Sequence, residues 1–254
     1  MLTVISPAKA MDMGPVDVAA TAPRMAAEAD ALRDVAAGLS AEGLAALMGI
    51  SEKLARLNHG RFRDWDAAPL KPAAWAFAGD TYAGLEAATL DGDAVRRADR
   101  RLRILSGLYG VLRPRDAIRA YRLEMGSRLA TPRGRDLYAW WGASVARMLE
   151  ADAEAAGTGW LLNCASQEYF GVVSKAGTAL RVVTPLFLED REGGPRMVSF
   201  HAKRARGAMA RFVMEHGIED PDDLRGFDAG GYAWDAARSA DGAPAFLRRA
   251  AVGA

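Results

Sequence analysis

The spacing of apolar residues changes several times along this chain, and each change marks an element. Leu2–Ile5 is an apolar run of strand length, stopped by Ser6-Pro7. Residues 24–37 set apolar positions at helical spacing in an alanine-rich stretch and predict a helix. Ser40 follows as an N-cap for AEGLAALM. The pattern over 44–57 predicts a helix, a turn at Gly49 and a second helix that ends at Asn58-His59-Gly60. Residues 74–78 read as a strand ended by Gly79-Asp80, 93–101 as a basic helix, and 103–105 as the end of a buried strand. Residues 134–155 predict one helix, and 160–162 a short strand that stops at Asn163. Residues 180–188 and 196–200 predict two strands joined through Gly193-Gly194, and 202–215 a basic helix. From Tyr232 onward the pattern carries no strong period beyond the last few apolar residues.

Strands alternating with helices predict a mixed α/β fold. Its centre is a mostly parallel or mixed sheet flanked by helices, with residues 40–58 inserted as a helical hairpin. No internal repeat or low-complexity linker divides the chain, so residues 1–254 are expected to form one compact unit. No apolar run reaches the ~18–20 residues of a membrane span. The N-terminus lacks the basic start of a secretory signal. The single cysteine, Cys164, excludes an internal disulfide and a cysteine-rich zinc site. A reducing cytoplasm is the expected location.

The formal net charge of +1 conceals a segregation. Residues 96–135 carry twelve arginines against Asp99, Asp116 and Glu124, and 201–211 carry Lys203, Arg204, Arg206 and Arg211 with no acid. Such clustering builds a positive cleft that attracts phosphates, unless the arginines face acids elsewhere in the fold. Residues 103–126 concentrate this chemistry. Ser106-Gly107-Leu108-Tyr109-Gly110 forms a glycine-bounded turn, and Asp116, Arg119, Tyr121, Arg122 and Glu124 follow closely. The pattern suits a cleft gripping a polar, anionic ligand. A surface ion-pair network around a folded turn is the alternative.

Two further constellations bear on function. Residues 47–55, LMGISEKLA, resemble the helix-hairpin-helix pattern, in which backbone amides at a helix N-terminus hold a nucleic-acid phosphate without reading sequence. Gly49, Ile50, Ser51 and Lys53 are the candidate DNA contacts, with Ser51 where the pattern usually has a second glycine. A plain hairpin packed on the core is the alternative. Separately, four predicted strands end in small or polar residues, at Ser6…Lys9, Gly79-Asp80, Ser106-Gly107 and Asn163…Ser166. In a parallel sheet, ligands bind beyond the carboxyl ends of the strands. If these ends are adjacent, one pocket gathers Lys9, Asp80, Tyr82, Arg113, Tyr121, Arg122, Glu124, Glu168, Tyr169, Lys203 and Arg206. Asp80, Glu168 and Lys203 are its acid–base candidates. No metal or cofactor is expected, because no P-loop, nucleophile elbow or paired-histidine motif occurs and His59, His201 and His216 are scattered.

The longest motif, SGLYGVLRPRDAIRAYRLEMG at 106–126, strongly resembles the signature of the YaaA family, associated with resistance to peroxide stress. SPAKAMD at 6–12, FAGDTYAGL at 77–85, NCASQEYF at 163–170, SFHAKRARGAMARF at 199–212 and GYAWD at 231–235 extend the resemblance over essentially the whole chain. It implies a cytoplasmic protein that limits hydrogen peroxide damage, in part by lowering free intracellular iron. It also implies binding of double-stranded DNA through a positive cleft and a helix-hairpin-helix. The alternative is an enzyme acting on a nucleobase, nucleotide or other small phosphorylated substrate in the polar pocket. Three positions depart from the family pattern: Ala120 stands where proline is common, Gln167 where an acid is, and Gly171 where lysine is.

Overall fold

The computed structural model describes residues 1–249. Its centre is a five-stranded sheet in the spatial order Gly110–Leu112, Leu102–Ser106, Leu2–Ile5, Trp160–Cys164 and Arg181–Val183. Four strands run parallel, with Ile5 opposite Ile104 on one side and Cys164 on the other. Gly110–Leu112 turns back antiparallel at the edge. Leu2–Ile5 and Leu102–Ser106 are buried at every position, as central strands covered on both faces should be, with Thr3, Arg103 and Ser106 the buried polar members. The first strand sends its chain toward Leu102–Ser106, whereas Trp160–Cys164 sends its own the opposite way, to Arg181–Val183. The crevice between their carboxyl ends is therefore a topological switch point, where open α/β sheets bind ligands.

A second sheet pairs Leu186–Glu189 parallel to Ala245–Arg248, which runs antiparallel to Tyr232–Trp234. Phe187, Phe227, Tyr232 and Phe246 form its aromatic core. Helix Ser199–His216 touches strands of both sheets. Two short ribbons complete the strands. Ala10–Met11 pairs with Phe77–Ala78, and Lys71–Pro72 with Ala117–Ile118.

Several elements differ from the sequence expectation for identifiable reasons. The expected strand at 74–78 is a helical turn, Ala73–Ala76, and only Phe77–Ala78 is extended. The alanine run favours helix, and the partner ribbon is only two residues long. The expected single strand over 180–188 breaks at Pro185, which donates no ladder hydrogen bond, and its halves join different sheets. Of the expected 196–200 strand only Arg196 pairs, with Glu189, before helix begins at Ser199. The expected helix at 134–155 splits into Leu137–Trp141 and Ser144–Ala155 at Gly142, whose φ is +47°. Helix Glu52–Arg63 runs on through Asn58-His59-Gly60, with the Asn58 amide donating back to the Leu54 carbonyl at 2.8 Å. The featureless tail from Tyr232 holds two strands of the second sheet.

Helices Ala41–Met48 and Glu52–Arg63 are joined by Gly49, in the left-handed conformation, then Ile50 and Ser51. They bury Leu44, Met48, Ala55 and Phe62 in the main core, where Phe62 stacks on Trp65 and Trp65 on Tyr109. The hairpin is thus a structural part of the core as well as a surface feature. The arginines of 96–135 are largely spoken for. Six of the twelve pair with acids: Arg96 with Asp93, Arg101 with Glu219, Arg103 with Asp152, Arg113 with Asp116, Arg115 with Asp99, and Arg122 with Glu124. Arg97 instead holds the carbonyls of Met214 and Glu215 at a helix C-terminus.

Candidate functional site: a cationic cleft at the switch point

A cleft of about 290 Å³ opens at the carboxyl ends of the first strand and of Trp160–Cys164. The loop after the first strand supplies Ser6 and Lys9. The loop and helix after Trp160–Cys164 supply Ser166, Glu168 and Tyr169. These loops are stitched together, since the Ser166 amide donates to Ser6 Oγ at 2.9 Å. The Ala10–Met11/Phe77–Ala78 ribbon then brings Gly79, Asp80 and Thr81 to the same rim. Helix Ser199–His216 closes the far wall with Lys203 and Arg206.

Two motif glycines fix that wall. A Cβ on Gly84 would lie 2.0 Å from the Arg204 carbonyl oxygen, and one on Gly207 would lie 1.7 Å from that of Thr81. Helices Asp80–Leu85 and Ser199–His216 therefore meet backbone to backbone. This contact sets Asp80 and Thr81 opposite Lys203 and Arg206. Gly107 acts similarly one layer back, where a Cβ would lie 2.3 Å from the Leu123 carbonyl oxygen. Its turn thereby seats the segment that carries Arg122 and Glu124.

Of the eleven pocket and catalytic candidates, six line the cleft: Lys9, Asp80, Glu168, Tyr169, Lys203 and Arg206. Glu124 and Arg122 stand at the rim. The Glu124 carboxylate accepts from Lys9 Nζ and from Arg122, each at 3.2 Å. Tyr82 and Tyr121 form a second layer. Tyr82 donates its hydroxyl to the Ser6 carbonyl at 3.1 Å, Tyr121 bonds Ser106 Oγ at 2.6 Å, and Phe77 packs against both rings. Arg113 lies elsewhere, held to Asp116 at 2.8 and 3.0 Å and to the Ala22 carbonyl. The hairpin residues Gly49, Ile50, Ser51 and Lys53 do not line the cleft. Gly49, Ser51 and Lys53 are exposed and Ile50 is half-buried, while Ser51 Oγ caps the Leu54 amide at 3.5 Å. Ser6, Thr81, Cys164 and Ser166 line the cleft without having been singled out as ligand contacts. The signal for Ser6 and Ser166 was present, because Ser6 directly follows a buried strand and Ser166 stands two residues beyond another.

The cleft carries three cations, Lys9, Lys203 and Arg206, against the carboxylates of Asp80 and Glu168. Arg206 is the most exacting of them. It is half-buried, and among the described residues its sole side-chain hydrogen bond is a weak one to Met197 Sδ at 3.9 Å and no carboxylate pairs with it. Burial pulls its pKa below the ordinary guanidinium value. Glu168 accepts from the Gly126 amide at 3.0 Å, which fixes one carboxylate oxygen at the rim. Burial pushes the Tyr82 and Tyr169 phenols well above their ordinary range, so both stay protonated and serve as donors rather than bases. Burial likewise pushes the Cys164 thiol up to about 12, despite nearby Arg206, which leaves it a poor nucleophile. A larger hollow of about 530 Å³ lies along another side of helix Ser199–His216. There Arg211 pairs with Glu86 and Glu215, and Arg248 with Glu189, so its charges are largely satisfied internally.

The model of the family described as peroxide stress protein YaaA matches residues 1–238. The chain belongs to the YaaA family. Among its relatives, a UPF0246 protein of Ruegeria pomeroyi is 55% identical over 252 residues, covering 98% of each chain. One from Dinoroseobacter shibae is 55% identical over 253 residues, covering 98% of this chain and 95% of its own. One from a Jannaschia species is 54% identical over 254 residues, covering 99% and 98%. Every lining residue of the cleft falls within the YaaA-matched span. Gly171, expected to depart from the YaaA pattern, has a visible consequence. A Cβ there would lie 3.3 Å from the Tyr138 ring, whose hydroxyl donates to the Glu168 carbonyl at 2.8 Å. The missing side chain thus leaves room for a tyrosine that braces the Glu168 turn. Among the described residues, no helix is long and apolar enough to cross a membrane.

Proposed function

We propose that this YaaA-family chain protects the cytoplasm under peroxide stress by engaging double-stranded DNA, largely without reading its sequence. The cleft in this reading receives one phosphate-bearing or base-sized moiety of that DNA. The observation that carries it is Arg206, a half-buried guanidinium without a carboxylate partner among the described residues, beside Lys203. Such a group is stabilised most by an anion that enters and replaces the lost water. At about 290 Å³ the cleft sits at the small end of the ~300–1,000 Å³ range of ligand pockets, so a duplex cannot enter and an extruded nucleotide is the largest DNA moiety that suits it. The Gly49–Ser51 turn supports the same partner, since it exposes the N-terminus of helix Glu52–Arg63 with Lys53 in its first turn. Lowered free iron is a cellular consequence in this reading. A cleft with more cations than carboxylates repels a metal cation.

A salt series with a fluorescent duplex tests it. Affinity should fall steeply with salt, and both Lys203→Met/Arg206→Leu and Gly49→Asp/Lys53→Glu should weaken it. No binding at low salt would retire the DNA reading. The size of the cleft also favours a second reading, an enzyme acting on a free nucleotide or other small phosphorylated substrate. Asp80, Glu168 and Lys203 are then its acid–base groups. Turnover unchanged in Asp80→Asn, Glu168→Gln and Lys203→Met would remove all three.

A further inference from the structure

The chain has ten methionines, all within the described residues, and Met197 alone is exposed, at 47%. Its sulfur lies 3.9 Å from Nη2 of Arg206, the guanidinium that lines the cleft without a carboxylate partner. Met197 sits in the 190–198 connection, which carries Gly193 and Gly194 at positive φ and is tied to the second sheet at its two ends, by the Asp190 amide on the Arg248 carbonyl at 2.9 Å and by Arg196 pairing with Glu189. The connection therefore has the conformational freedom to change its contact with Arg206.

We propose that Met197 is a peroxide-modification site, at which hydrogen peroxide converts the thioether to a sulfoxide whose oxygen docks on Arg206 and closes the cleft to anions. The sulfur lone pair attacks one peroxide oxygen, an S–O bond forms and the O–O bond breaks. Hydroxide leaves and takes the proton from the sulfur-bound oxygen, giving water. Sulfur loses two electrons and peroxide gains them. A thioether is a weak acceptor, whereas the sulfoxide is polar and presents an oxygen. Placed on this sulfur and turned toward Nη2, that oxygen closes the gap to hydrogen-bonding distance. Ligand occupancy would then follow peroxide level, and methionine sulfoxide reductases would reopen the cleft. The consequence for binding rests on the anion-cleft reading above, while the oxidation and the docking do not.

Wild type, Met197→Leu and Arg206→Leu are treated with hydrogen peroxide, and sulfoxide at each methionine is followed by peptide mass spectrometry. Met197 should oxidise several-fold faster than the other nine. Backbone hydrogen exchange across 190–198 should slow in oxidised wild type and not in oxidised Arg206→Leu. Inorganic phosphate should bind oxidised wild type about tenfold more weakly than reduced protein, the change expected when one charge-assisted hydrogen bond competes for the guanidinium. Peroxide should leave phosphate binding to Met197→Leu unchanged. Oxidation of Met197 no faster than that of buried methionines overturns the proposal, and so does exchange protection that persists in Arg206→Leu. If phosphate fails to bind even the reduced protein, the anion-cleft reading fails, and the exchange result still decides whether the sulfoxide docks on Arg206.

Discussion

The contact between helices Asp80–Leu85 and Ser199–His216 leaves no space for a methyl group, which makes Gly207→Ala a sharp test of how the cleft is built. The added Cβ would lie 1.7 Å from the Thr81 carbonyl oxygen and 2.9 Å from the Leu85 nitrogen. Both are main-chain atoms, so no rotamer change relieves the overlap and the helices must separate. Overpacking a well-filled contact costs ~1–3 kcal/mol, and a backbone obstacle belongs at the upper end, about 3 kcal/mol. Alanine recovers ~1 kcal/mol over glycine inside a helix, which leaves a net loss of about 2 kcal/mol. In a chain of this size ~1 kcal/mol shifts the melting temperature by about 2–4 °C, so the expected fall is about 4–8 °C. Thermal unfolding followed by circular dichroism measures it. Gly43→Ala is the control, because its Cβ would have no neighbour nearer than 3.6 Å and only the helix-propensity gain remains. Gly43→Ala should melt at or slightly above wild type. A Gly207→Ala protein that melts with the control would show that the close approach does not hold the cleft wall.

Three further outcomes follow from the geometry. Asp152 is buried between Arg24 and Arg103, at 2.6–2.7 Å from both, and Asp152→Ala leaves the buried Arg103 without its partner, a loss of ~3–5 kcal/mol that urea unfolding should register. Burial opposes the Asp152 charge, but the two guanidiniums hold its pKa below the ordinary value. Its contribution is therefore complete above the unfolded pKa of about 3.9 and is lost as pH falls through the lower folded value, so Asp152→Asn should flatten the acid limb of the stability curve. Cys164, with its thiol pushed up to about 12 by burial, should resist iodoacetamide at pH near 8 in native protein and react once the chain is unfolded. Tyr232→Phe removes the 2.5 Å bond to Glu189, and unfolding should show a loss of ~1–3 kcal/mol.

The sequence by itself determined the buried strands, a helix cap and which polar residues stand at the strand ends. Leu2–Ile5 and Leu102–Ser106 were legible because a strand covered on both faces is mostly apolar, as Leu2, Val4, Ile5, Leu102, Ile104 and Leu105 are. Ser40 was legible because the orphan amides of a helix start call for a nearby side-chain oxygen. Lys9, Asp80, Glu168 and Tyr169 could be proposed as one site because strands present their carboxyl ends to one crevice, and Lys203 and Arg206 joined them through the resemblance to the YaaA motifs. What the tertiary structure decided was partnership. Arg113, Arg122 and Arg206 look alike in a run of residues. Yet Arg113 is consumed by Asp116, Arg122 shares Glu124 with Lys9, and Arg206 faces the cleft with no carboxylate partner among the described residues. The same holds for Gly84 and Gly207. Their spacing carries no local signal, and their necessity comes from a helix more than a hundred residues away. Helix and strand signals are local because they arise from backbone hydrogen bonding and side-chain period. The state of a charge depends on which distant segment folds against it.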